Sequence, residues 1–245
     1  MYVMTIDQRG STGDVDRVPG LLKDLGALST SGRFERSVGD EVQGVVEHPD
    51  EVVEIALHAL RSGHWYVGIG VGEVHQPLPA SPREGSGPAF VAARAAVDRA
   101  KAAAAHVPLA VVAGGGRRGR PAPAAAAGGD AAAKNGDAAS EAARASANAE
   151  AVLRLIGRLV QDRTAAQWKV VDVLRSVRQG PGVRQGQGGV HSGHGSQKIA
   201  AQKLGITEQS VSRAVLRSGW QEEWAARPAA AMLLSFANDS TEGDR

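Results

Sequence analysis

The spacing of hydrophobic and polar residues changes near the middle of the chain. Before residue 113, short runs of Val, Ile and Leu with strand-like alternation are separated by segments with helical spacing. After residue 150 only helical spacing remains. The pattern therefore predicts an α+β domain followed by an all-α domain. Predicted strands cover 2–6, 33–47 (a hairpin around Gly39 and Asp40), 65–74 and 107–113, and predicted helices cover 18–27, 50–62 and 87–104.

The second half divides further by composition. Residues 114–149 are rich in Ala and Gly, which is typical of a linker, and residues 179–196 hold seven glycines and predict a loop. One predicted helix begins at Val152, and another carries Val170, Val171 and Leu174 on one stripe. We therefore expect a domain at 1–113, a linker at 114–149, a helical domain at 150–237 and a tail at 238–245.

The clearest motif of the helical domain lies between residues 197 and 216. Ala201 is small where two helices cross, Gly205 allows the positive φ of a tight turn, and Thr207 is a good N-cap. Leu204, Ile206 and Val211 are expected to fill the space between the helices. This spacing resembles the bacterial helix-turn-helix, with a positioning helix at 197–204 and a recognition helix at 208–218.

The resemblance implies a set of DNA contacts. Residues at the start of the recognition helix reach base edges in the major groove, and flanking cations meet phosphates. The alternative is a helical hairpin that serves only packing or dimerisation. The expected base contacts are Glu208, Gln209, Ser212 and Arg213 beside the capping Thr207, and the expected phosphate contacts are Lys198, Lys203 and Arg217.

A second basic segment lies in the linker. Arg118-Gly119-Arg120-Pro121 resembles the core of an AT-hook, in which an extended Arg-Gly-Arg segment lies in a narrow minor groove. This resemblance implies minor-groove contacts for Arg118 and Arg120. The alternative is an ordinary basic, glycine-rich linker.

The element order of the first domain predicts a ferredoxin-like or palm sheet with helices on one face. In such a sheet the end of the first strand lies beside the hairpin tip, so Asp7 and Asp40 become neighbours. Two carboxylates at one sheet edge suit a divalent cation with its phosphates. The alternative is that the hairpin tip is merely a turn and that Gly68 to Gly72 form a strand pressed against a helix.

Four short motifs extend this interpretation. They are 6–12 (IDQRGST), 36–42 (RSVGDEV), 67–74 (VGIGVGEV) and 87–90 (GPAF) with Arg94, and their order resembles class III nucleotidyl cyclases and the SatD-like family. The resemblance implies that Asp7 and Asp40 hold Mg²⁺ or Mn²⁺, and that Arg36 and Arg94 bind a nucleotide. Where the cyclases carry an asparagine, Phe90 and Val91 are apolar, so we expect little or no turnover.

Charge and composition narrow the choice of function. The net charge is +2, but residues 150–220 hold eleven Lys and Arg against four acidic residues, whereas residues 1–113 hold ten against fourteen. This asymmetry favours a phosphate-binding surface in the second domain. The absence of cysteine excludes disulfides, cysteine-ligated zinc and a thiol nucleophile. Without a signal-peptide pattern or a long apolar run, we expect a soluble cytoplasmic protein.

Together these observations predict a DNA-binding transcriptional regulator with a non-catalytic, nucleotide-binding or scaffold palm domain. Its expected partners are double-stranded DNA, a nucleotide ligand and, because palindromic sites favour dimers, a second copy of the chain. The alternative is an enzyme, a nucleotidyl cyclase or related phosphotransferase that its helix-turn-helix localises. A third option is a protein–protein interaction module.

Overall fold

The computed structural model describes residues 1–11, 13–28, 32–103, 106–115, 129–178 and 194–242, and it confirms the α+β class. The strands are β1 (Tyr2–Gln8), β2 (Arg33–Arg36), β3 (Glu41–Val46), β4 (Trp65–Val71) and β5 (Leu109–Ala113). The helices are α1 (Val18–Leu28), α2 (Pro49–Arg61), α3 (Pro88–Ala102), α4 (Gly129–Gln161), α5 (Ala165–Arg178), α6 (His194–Leu204), α7 (Glu208–Arg217) and α8 (Trp220–Glu242).

The five strands form one mixed sheet in the order β2-β3-β1-β4-β5. The three pairs β2–β3, β3–β1 and β1–β4 are antiparallel, and β5 runs parallel to β4. A parallel pair needs a crossover connection, and α3 supplies it. Because β1 and β3 are antiparallel, the C-terminal end of β1 lies beside the start of β3.

Helices cover both faces of this sheet, so the prediction of helices on one face is wrong. Met4 and Ile6 of β1 share a core with α1, α2, α4 and α8, whereas Val3 packs with Ala89 and Ala93 of α3. The physical reason lies in β4: a Cβ added to Gly70 would lie 2.1 Å from the Ala89 carbonyl oxygen. Only a glycine strand and an alanine helix can approach this closely.

The core of the sheet continues beyond residue 113. Leu153 and Ile156 of α4 and Leu234 of α8 belong to the same buried cluster as β1 and α2. The alanine-rich segment predicted as a linker is helical from Gly129, because alanine has the highest helix propensity and its small side chain fits a close helix contact. Likewise α8 extends to Glu242, into the predicted tail. Residues 116–128 lie outside the described part of the chain.

A second, smaller core joins α5, α6, α7 and the start of α8. It is built around Val171, Leu174, Val211, Val215 and Trp220. The helix α6 begins at His194, inside the segment predicted as a loop, whose residues 179–193 are not described. None of the described helices is long and apolar enough to cross a membrane.

Candidate functional site

The turn between α6 and α7 has the geometry that the helix-turn-helix pattern predicts. Gly205 adopts φ of 64°, and the Ile206 amide donates a hydrogen bond to the Ala201 carbonyl at 3.1 Å. The Thr207 hydroxyl accepts a hydrogen bond from the Ser210 amide at 3.2 Å, a cap that stabilises a helix by about 1 kcal/mol. Gly205 and Thr207 are therefore confirmed in their structural roles.

One detail of the predicted packing is wrong. Ile206 is 40% exposed, whereas Ala201 and Val211 are buried and Leu204 packs against the same cluster. Side chains of α6 and α7 thus fill the space between the two helices, and Ile206 in the turn remains partly exposed. The hairpin has a complete core without it.

The opposite surface of α7 faces solvent. Val211 and Val215 are buried and Ala214 packs partly against the same core, whereas the other residues of α7 are exposed and form one continuous face. Every predicted base or phosphate contact lies on this exposed surface of α6 and α7, which we name the α7 face: Lys198, Lys203, Thr207, Glu208, Gln209, Ser212, Arg213 and Arg217.

The charges of the α7 face are uncompensated. Among the described residues, the side chains of Lys198, Lys203, Arg213 and Arg217 have no hydrogen-bond or ion-pair partner. Glu208 is the sole acidic residue between 194 and 217, and it lies in the first turn of α7, where the helix dipole stabilises a negative charge. The α7 face therefore carries a net positive charge. The linker residues Arg118 and Arg120 lie outside the described ranges.

A second cluster of charged residues lies between the sheet and α3. Asp7 of β1 is directly opposite Glu41 of β3, and Arg94 and Lys101 lie seven residues apart on α3. The Lys101 ammonium donates to Asp7 Oδ2 at 2.7 Å, and Arg94 Nη1 donates to Glu41 Oε2 at 2.5 Å. We call these four residues the carboxylate cluster.

Burial controls the ionisation of these carboxylates. Desolvation raises the pKa of Asp7 and that of Glu41, while Lys101 and Arg94 act in the opposite direction. The charge of Asp40 also raises the pKa of Asp7. The Gln8 amide donates a hydrogen bond to the Asp40 carbonyl at 3.3 Å, so the hairpin tip lies beside the end of β1, as predicted. The residue that faces Asp7 across the strands is nevertheless Glu41. Perturbed carboxyl groups of this kind are common at functional sites.

Arg36 lies apart from this cluster. Its register partner on β3 is Val42, a core residue of the sheet face opposite α3, so Arg36 and the α3 residue Arg94 lie on different faces of the sheet. Arg36 Nη2 donates to Asp16 at 2.5 Å, and Arg36 Nη1 donates to the Gly39 carbonyl at 3.0 Å. The structure therefore does not bring the two predicted nucleotide-binding arginines together, and Arg36 instead holds the hairpin tip.

The carboxylate cluster was only partly predictable. Lys101 was not predicted, although its spacing of seven residues from Arg94 indicates the same helical face. Glu41 directly follows Asp40 and could have been found from the hairpin register. Carboxylate oxygens suit Mg²⁺ or Mn²⁺. In the described residues, however, no group of three or more His, Asp or Glu side chains is arranged to hold a metal ion.

An ionic network connects α5 and α8 to α2, which covers the sheet. Arg61 of α2 makes two 2.7 Å hydrogen bonds to Asp172 of α5. Arg163 and Glu223, each with a side chain 1% exposed, pair at 2.6 Å. Further ion pairs to Glu54 of α2 come from Arg175 and Arg227. No sequence pattern indicated this network, because its members are far apart in the chain.

A cavity of about 320 Å³ lies on the α3 side of the β2–β3 hairpin. Phe90 lines it, and the Phe90 ring closes against Gly85 so tightly that a Cβ there would lie 2.1 Å away. The apolar residue near Arg94 thus has a packing role. The other lining residues are Arg33, Val45, Glu47, Leu78, Pro79 and Pro82.

Comparison of the chain with models of protein families, with curated proteins and with solved structures finds no match.

Proposed function

We propose that this protein is a DNA-binding transcriptional regulator whose α7 face enters the major groove. The observation that carries the proposal is that the α7 face is exposed, continuous and positively charged, on a helical pair with the turn geometry of a helix-turn-helix. Phosphate neutralisation by unpaired cations releases counterions and supplies most non-specific affinity. In this proposal Arg213 contacts a guanine edge, and Lys203 contacts the DNA backbone.

The sheet domain serves this regulator as a scaffold. The strand order β2-β3-β1-β4, with β1 between two antiparallel neighbours, supports a palm-like sheet that β5 extends. In the carboxylate cluster, Lys101 and Arg94 already balance the charge of Asp7 and Glu41. A cation gains little by entering a cluster whose charge is already neutralised. This balance, together with the apolar Phe90, favours the non-catalytic role over the cyclase alternative.

Nucleotide binding is the second candidate function. It is favoured by the desolvated carboxylate Asp7, which the neighbouring charge of Asp40 perturbs. In this role Asp7 and Asp40 would hold a Mg²⁺ or Mn²⁺ ion, which would neutralise part of the phosphate charge. The exposed Arg94 would contact a phosphate. Calorimetry with ATP and Mn²⁺ tests it: metal-dependent binding lost in both Asp7→Ala and Asp40→Ala supports the site, and binding retained in either variant refutes it.

Fluorescence anisotropy with labelled duplex DNA across a salt series tests the proposed DNA binding. We expect wild-type affinity to fall steeply as salt rises, and the variant Arg217→Ala to bind more weakly with a shallower slope. The matched control is Arg33→Ala, which removes an exposed arginine from β2 and leaves the α7 face unchanged. If wild type shows no salt-dependent affinity for any duplex, or if Arg33→Ala weakens binding as much as Arg217→Ala, the proposal is wrong.

A further inference from the structure

The helix α8 is apolar on two sides. One side, with Ala230, Leu234 and Ala237, is buried in the main core. The other side faces solvent and carries Ala225, Ala229, Met232 and Phe236, which we call the α8 seam. Met232 is 64% exposed and Phe236 is 55% exposed. Large apolar side chains that share one exposed helix face are unusual in a protein without a partner.

The spacing of the α8 seam is that of a helix-pairing surface. Its residues are separated by four, three and four positions, the repeat with which one helix packs against another. Between Glu223 and Asp239 the single charged residue is Arg227, whose guanidinium is engaged with Glu223 and Glu54. The exposed surface of α8 over residues 225–238 therefore presents no charge to a partner helix.

The order of small and large residues indicates which partner fits. The seam reads small, small, large, large from its N-terminal end. When two copies of α8 pair in antiparallel orientation around a two-fold axis, Ala225 faces Phe236 of the other copy and Ala229 faces Met232. Each large side chain then meets an alanine, which is the arrangement that packs best. A parallel pair would set Phe236 against Phe236 and leave the alanines facing each other.

We infer that the α8 seam is the dimerisation surface of this protein, and that its partner is a second copy of the chain in antiparallel, two-fold orientation. Self-complementarity of this kind defines an isologous contact. The seam covers about 18 Å of a helix about 10–12 Å wide, roughly 200 Å², whereas a stable interface needs about 800 Å² per partner. The dimer is therefore expected to be weak in solution and to strengthen when both copies bind one duplex. This inference adds the partner to the proposed regulator and rests on α8 alone.

Sedimentation velocity over a concentration series, without DNA, tests the surface. Wild type is expected to move from monomer to dimer with rising concentration, and Met232→Glu is expected to stay monomeric because it buries a charge at the seam. Leu155→Glu is the matched control, since Leu155 is also large, apolar and 68% exposed but lies on α4. Circular dichroism verifies that all three proteins are folded. A monomeric wild type, or equal loss of dimer in both variants, overturns the inference.

Cross-linking tests the orientation. Because the chain contains no cysteine, every disulfide reports only on introduced residues. The double variant Ala225→Cys/Phe236→Cys is expected to form a covalent dimer on oxidation, while each single variant is not, because like residues lie about 16 Å apart in the antiparallel pair. Cross-linking of either single variant instead indicates a parallel pair and refutes the proposed orientation. These assays contain no DNA, so their failure is distinct from a failure of DNA binding.

Discussion

The carboxylate cluster and the α7 face differ in whether their charged side chains are paired and in how far they are exposed. In the cluster, Asp7 and Glu41 are partly desolvated and each is paired with a cation from α3. On the α7 face, the cations are exposed and have no partner in the described residues. A paired charge has already released the electrostatic energy that a ligand could gain, whereas an unpaired and exposed charge retains it. The comparison therefore favours the proposal that an external polyanion binds the helical unit.

The largest expected effect comes from breaking the buried ionic network of α2, α5 and α8, which lies between these two regions and belongs to neither. Glu223→Gln leaves the buried Arg163 guanidinium without its counter-charge, and we expect a loss of about 3–5 kcal/mol in the free energy of unfolding, measured in urea. The control Asp172→Asn removes an exposed partner of Arg61 and should cost less than about 1 kcal/mol. Equal losses in the two variants would show that burial does not set the strength of this network.

The next largest effect is expected from a substitution that pushes α3, with Arg94 and Lys101, away from the sheet. Gly70→Ala places a Cβ against the backbone of α3, so the helix must shift, and we expect a loss of about 1–3 kcal/mol in the free energy of unfolding. The control is Gly26→Ala in α1, where an added Cβ meets nothing within 4 Å. DNA affinity should be unchanged in both variants, because the helical unit has its own core. A Gly70→Ala variant as stable as wild type would contradict the observed close packing.

Substitutions on the α7 face should distinguish two kinds of contact. Arg213→Ala is expected to cost about 1–3 kcal/mol on a preferred duplex and to flatten sequence preference, because it removes a base contact. Lys203→Ala should weaken binding to all duplexes alike and reduce the salt slope by about one unit. Anisotropy on preferred and scrambled duplexes measures both. Arg94→Ala in the carboxylate cluster is the control and should bind as wild type does.

The smallest effect is a pH dependence of stability. Burial raises the pKa of Asp7 above its ordinary value of 3.8, so the folded state favours the protonated carboxyl. That contribution is complete below pH 3.8 and is lost as the pH rises through the raised pKa. As the pH rises from about 4 to about 7, wild type should lose up to about 1 kcal/mol in its free energy of unfolding relative to Asp7→Asn, which cannot ionise. Asp98→Asn, an exposed site on α3, should show no such difference in urea unfolding at the two pH values.

Local signals in the sequence determined the elements and the turn. Hydrophobic spacing identified every strand of the sheet, and Gly205 with Thr207 identified the turn between α6 and α7, because positive φ and N-capping depend on residues only a few positions apart. The same local signals placed the exposed cations on α6 and α7. Alanine was ambiguous: it suits a flexible linker in composition but forms α4 in the structure.

Only the tertiary structure decided which distant residues meet. The register of β2 with β3 put Arg36 on the sheet face opposite α3, which carries Arg94, and pairing of β1 with β3 set Glu41 opposite Asp7. Contacts between α2, α5 and α8 created the network around Glu54 and Glu223. Packing of α8 against the sheet buried one of its apolar sides and left the α8 seam exposed. The sequence specifies such contacts only through the complete fold, because side chains more than a hundred positions apart are brought together by burial of the shared core.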